Sequence, residues 1–157
     1  MDAQLTTSEI NTFRDTLKDY DPALEALATL EEQGGKIEGS FDRLWVEKNG
    51  PLPQMPEGKS LWQITLKQLR QEVCGDDSFR TKLQEYTKNP GSTPLLTGLI
   101  VSLVGVAAAH GLPLDPAIAT IIVLYILKIG LNIFCEYTES SPKLPPDAPE
   151  SRRLPDD

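Results

Sequence analysis

The sequence predicts an all-α protein: short amphipathic N-terminal helices, then a two-helix transmembrane hairpin, then a disordered Pro-rich tail. Three observations carry this reading. Apolar residues in the first 92 positions recur at helical spacing with almost no strand-like alternation. Between Thr93 and Cys135, 43 positions contain only two charged residues, Asp115 and Lys128. Prolines 142, 145, 146, 149 and 155 then follow with few apolar residues among them. The chain accordingly divides into a charged helical region over 1–92, an apolar hairpin over 93–137 and an acidic tail over 138–157.

The N-terminal elements follow from capping and periodicity. Thr7 or Ser8 caps a first helix with Ile10, Phe13 and Leu17 on one face. Asp21-Pro22 opens a second, with Leu24, Leu27 and Leu30, and Gly34-Gly35 ends it. Ser40 is expected to cap a third, carrying Phe41, Leu44 and Trp45. Asn49-Gly50 and the prolines at 51, 53 and 56 form a loop. Ser60 opens the best amphipathic helix, whose Trp62, Leu66, Leu69 and Val73 form a stripe. Asp76 or Asp77 caps the next, with Phe79, Leu83 and Tyr86, up to Asn89-Pro90-Gly91. Helices this short are marginal alone and must pack on one another, on the hairpin or on a partner.

The hairpin is expected as helices over 95–112 and 116–134. Eighteen uncharged residues at about 1.5 Å each give roughly 27 Å, near the ~30 Å hydrocarbon thickness. Asp115 caps the second helix and Pro116 takes its first position. Neither run shows a polar stripe, and a helix apolar all round is buried in protein or in lipid. Residues 59–93 hold 6 basic and 4 acidic side chains, against 5 and 12 over 1–58. The positive-inside rule then leaves both termini cytoplasmic and makes the protein a two-span, multi-pass membrane protein.

Two features of the hairpin are candidate functional sites. Gly98, Ser102, Gly105 and Ala109 line one face with small side chains, suited to helix packing or to self-association of hairpins. Lys128, with Asn132 one turn on, is an intramembrane polar pair; snorkelling to headgroups or a wet seam would accommodate it. His110 falls at the outer end of the first helix, where an imidazole is solvated.

Other chemistries are excluded. A net charge of −8 with no basic stripe argues against nucleic acid. Cys74 and Cys135 are too few for a disulfide framework, have no metal-ligand spacing and read as reduced thiols of a cytoplasmic protein. The N-terminus lacks the basic start and apolar core of a signal peptide. With no P-loop, GxGxxG, HExxH or nucleophilic triad, the expectation is a non-enzyme with no metal or cofactor. The PxxP spacing in the tail matches a polyproline ligand pattern.

The expected function is a small membrane-anchored interaction protein. Its partners are the lipid bilayer, further copies through the hairpin, and a cytoplasmic protein bound by the N-terminal helices. One alternative is a pore-forming effector whose hairpins oligomerise; another is a soluble bundle that buries the hairpin. Charged helices around an apolar hairpin resemble, in layout, pore-forming bacteriocins and apoptosis-regulating helical bundles.

Overall fold

The computed structural model describes residues 3–54, 60–75, 77–109, 111–112 and 114–137. The proline tail over 138–157, with its PxxP spacing, and His110 lie outside the described residues. The helices are α1 (Thr7–Thr16), α2 (Asp21–Glu32), α3 (Ile37–Asn49), α4 (Leu61–Gly75), α5 (Asp77–Lys88), α6 (Thr93–Ala109), α7 (Pro116–Ile129) and α8 (Leu131–Tyr137). The described residues form no strand; one isolated bridge joins Gln4 to Lys36.

The apolar hairpin is the centre of this bundle. α7 packs against α2, α3, α6 and α8, and every residue from Ala117 to Ile126 is buried. The cause is in its sequence: ten consecutive positions offer no charged side chain to place in water. Thr120, the single hydroxyl threonine among them, donates to the carbonyl of Pro116 at 2.8 Å. Burying each large side chain contributes about 1.5–3 kcal/mol, so α7 supplies a large share of the apolar stabilisation. The amphipathic helices around it each turn one stripe inward: Ala23, Ala26, Leu27 and Leu30 from α2, Phe41 and Leu44 from α3, and Trp62, Leu66, Leu69 and Val73 from α4.

Aromatic rings run through the core from α3 to α8. Phe41 meets Trp62 at 5.1 Å, Trp62 meets Tyr125 at 5.0 Å, and Tyr125 meets Phe134 at 6.3 Å, each edge-to-face. That geometry sets the positive edge of one ring on the negative face of the next.

Several local expectations need correction. The first helix is capped by Thr6, not Thr7 or Ser8: its hydroxyl accepts from Glu9 N–H while the Glu9 carboxylate accepts from Thr6 N–H. This reciprocal box satisfies two donors that the helix end leaves open. Asp21-Pro22 opens α2 as expected, with Tyr20 before it. α3 starts at Ile37, so Ser40 lies inside it, buried, with its hydroxyl donating to the carbonyl of Lys36. The earlier start is set by Gly35. At φ +86° it lets its carbonyl accept from Leu5 N–H at 2.9 Å, and a Cβ there would overlap the Leu5 carbonyl. Ser60 does cap α4, sharing a reciprocal box with Gln63.

The hairpin itself is shorter than expected. α6 begins two residues earlier and ends at Ala109, and the second helix does not run to 134. Gly130 adopts φ +91°, ψ 146°, a conformation L side chains rarely take, and divides the apolar run into α7 and α8. Asp115 caps α7 as expected, accepting from Ala117 N–H at 2.8 Å. With 17 residues in α6 and 14 in α7, no helix among the described residues is long and apolar enough to cross a membrane.

Candidate functional site: the outer face of α6 and the ties on α7 and α8

α6 carries no charged residue over its 17 positions, yet only one side of it is covered. Leu96, Leu99, Ile100, Leu103 and Ala107 are fully buried. On the opposite side Val101 is 56% exposed, and Gly105, Ala108 and Ala109 are exposed beside it. Of the small residues, Gly105 and Ala109 are exposed, and Gly98 and Ser102 are half-buried. A Cβ added at Gly98 or Gly105 would meet nothing within 4 Å. The fully buried residues of α6 are Leu96, Leu99, Leu103, Ile100 and Ala107, none of them from this small-residue row.

Lys128 ends α7, where its exposed ammonium lies 2.9 and 3.0 Å from the two carboxylate oxygens of Glu9. It is thus an ion-pair partner for α1. Glu9 also accepts from the Thr6 backbone. That bond first, and Lys128 after it, hold the Glu9 carboxyl below its ordinary range against a partial desolvation. Asn132 is exposed on α8, beyond the Gly130 break, so Lys128 and Asn132 do not share one helix. Asn132 borders an open groove of about 590 Å³, with Arg80, Gln84, Thr87 and Lys88 of α5 on its other side.

The two cysteines, expected as reduced thiols, form a disulfide between α4 and α8, with Cα atoms 6.0 Å apart. The pairing follows from packing that linear spacing conceals. α4 and α8 meet because Gly130 turns the chain back, and Cys74 and Cys135 lie at the contact. Each cysteine also has an arginine on its own carbonyl. Arg70 Nε donates to the Cys135 carbonyl at 3.0 Å, and Arg80 donates to the Cys74 carbonyl. The arginines gave no sequence signal, since both look like ordinary exposed-face residues. The even cysteine count was the one signal that could have pointed to a bridge.

A second open groove, about 910 Å³, runs between α1 and the start of α6, with Ser8, Thr12, Thr16 and Thr93 along it. Its hydroxyls are largely engaged by backbone: Thr12 donates to Ser8, Thr16 to Thr12, and Thr93 to Thr16. Among the described residues no three of His, Cys, Asp and Glu converge as a metal site would require. No family model matches the chain, and no curated protein or solved structure matches it.

Proposed function

We propose that the protein is a non-catalytic, membrane-active helical bundle that stores an apolar hairpin as its core and engages lipid through it. The observation that carries this reading is the asymmetry of the hairpin. α7 is buried on all sides from Ala117 to Ile126, while α6 turns a face without any charge to the outside. A helix that served only as core would gain solubility from Lys or Glu on its outer face at little cost. The uncharged face extends along about 25 Å of helix at ~1.5 Å per residue, enough to lie on the acyl boundary of a bilayer.

Full insertion needs more than the folded form offers. α6 and α7 are shorter than the ~20 residues of a span, but Pro116–Cys135 joined across Gly130 would give ~30 Å of helix. The transmembrane hairpin is thus proposed as the released form and the bundle as the stored one. The net charge of −8 disfavours anionic surfaces, so neutral, zwitterionic lipid is the expected target. The disulfide further favours an oxidising compartment over the cytoplasm expected from charge bias.

Flotation of the full chain with phosphatidylcholine vesicles tests this. The wild type is expected to float with the vesicles, and Val101→Lys to float several-fold less with an unchanged fold by circular dichroism. If the chain stays at the bottom of the gradient both oxidised and reduced, lipid engagement is wrong. One observation favours a second reading: open space before Gly98 and Gly105 lets another α6 approach closely. In that case sedimentation would show a dimer in the absence of lipid.

A further inference from the structure

We infer that the Cys74–Cys135 disulfide is an exchange site for a dithiol reductant, and that opening it releases α8 from α4. Two observations converge on it. Both cysteines are half-buried at the edge of the core rather than inside it. Each is tied to a guanidinium through its own carbonyl, Cys135 to Arg70 and Cys74 to Arg80. A residue's sulfur lies within about 5 Å of its carbonyl oxygen by covalent geometry. Each guanidinium therefore sits within roughly 8 Å of a sulfur, inside the screening length of ordinary buffers. Positive charge at that range favours a departing thiolate. Glu136, next to Cys135 and exposed, opposes this in part, as do the acidic residues Glu72, Asp76 and Asp77 that neighbour Cys74 in the sequence.

The chemistry is a two-step exchange. A thiolate of the reductant attacks one sulfur of the bridge; the S–S bond breaks, and the other cysteine leaves as a thiolate and takes up a proton. The second thiolate of the reductant then attacks its own sulfur in the mixed disulfide and closes a disulfide within the reductant. The first cysteine is freed and protonated. Two electrons and two protons pass to Cys74 and Cys135, and the dithiol is oxidised.

The bridge, the hydrogen bond from Arg70 Nε to the Cys135 carbonyl and the burial of Phe134 hold α8 in place. With the bridge open, the Gly130 turn is held only by packing and the Arg70 hydrogen bond, and Pro116–Cys135 can straighten into one apolar helix as these yield. That last consequence rests on the lipid-engagement reading; the exchange site does not.

The test uses the full, oxidised chain and dithiothreitol without denaturant, with thiols counted by alkylation and mass. Exchange at both cysteines under native conditions is expected. Arg70→Gln and Arg80→Gln should each slow it roughly threefold, the effect of about one pKa unit at the leaving thiol. Arg80→Lys, which keeps the charge, should restore most of the rate. A bridge that yields only in denaturant, or at the same rate in all variants, would overturn the assignment. Vesicle flotation before and after reduction separates the two ideas. Stronger binding after reduction supports release, and equal binding in both states overturns it. Binding in neither state overturns lipid engagement while native exchange stands.

Discussion

The only charged side chain of α7, Lys128, ends 2.9 Å from a carboxylate oxygen of Glu9, the residue that closes the capping box of α1. One carboxylate thus secures a helix start and the end of the central helix together. Its depressed pKa fixes the sign of the pH dependence. The stabilisation is present above the ordinary glutamate value of 4.5 and is lost as the pH falls through the lowered folded value. Glu9→Gln keeps a capping-box acceptor but removes the charge. It should lower stability at pH 7 by about 0.2–1 kcal/mol, as a half-exposed pair allows, and flatten the acid limb. Urea unfolding of both proteins at pH 7 and pH 3 checks this; an unchanged acid limb would place the pH dependence elsewhere.

Asp42 behaves in the opposite sense. Burial first, and the neighbouring Glu38 charge second, push its carboxyl above the ordinary aspartate range. The folded state then holds that proton more tightly than the unfolded chain. Ionised Asp42 opposes folding above the raised value, and the penalty is relieved as the pH falls through it. Asp42→Asn should therefore be neutral or stabilising at pH 7, within about 0.5 kcal/mol, with the advantage fading in acid. Thermal unfolding at pH 7 and pH 4 measures it.

The bridge between α4 and α8 closes a loop with a sequence separation of 61 that contains α5, α6 and α7. By chain entropy such a cross-link stabilises by about 4 kcal/mol, within the ~2–5 kcal/mol found for native disulfides. Cys74→Ser with Cys135→Ser should lose that amount and leave the helix content unchanged. Denaturant titration in non-reducing buffer gives the number. A loss below 1 kcal/mol would mean that the reduced chain already keeps its ends together.

The helical stripes were legible in the sequence because each solves a local problem. Trp62, Leu66, Leu69 and Val73 must share a face whatever they pack on, and they do. Apolar character all round the hairpin was equally legible, but not the medium that receives it. Ile118, Ile121 and Ile122 are as apolar in a core as in lipid, and the bundle's fit around α7 is a tertiary property. The Gly130 break was hidden because glycine is also tolerated within membrane helices. Without that break α8 does not reach α4, so the Cys74–Cys135 pair, the two arginine contacts and the separation of Asn132 from Lys128 were hidden with it. The Lys128–Glu9 pair spans 119 positions, and no local pattern encodes it.

Trp62 joins Phe41 of α3 to Tyr125 of α7 at the centre of the aromatic row. Trp62→Ala should cost about 3–5 kcal/mol, because the cavity would be lined by rings that cannot collapse into it. Trp62→Phe should recover a large part of that loss. Chemical denaturation followed by circular dichroism compares the two. Equal losses would show that the indole makes a contact beyond ring packing.

Gly98 and Gly105 supply the sharpest test of what the outer face of α6 is for. Each lies in a helix interior with open space where a Cβ would go. In a chain with nothing docked there, alanine should stabilise the helix by about 0.5–1 kcal/mol at each site, since glycine loses more backbone freedom on folding. That predicts a higher Tm for the Gly98→Ala, Gly105→Ala double variant at low protein concentration. If a second α6 packs on this face, the added methyl groups separate the backbones, and the dimer should weaken as the monomer grows more stable. Vesicle binding needs no close backbone approach and should be unchanged or slightly stronger. Opposite effects on Tm and on self-association would identify a protein partner on this face. A higher Tm with vesicle binding intact would identify lipid.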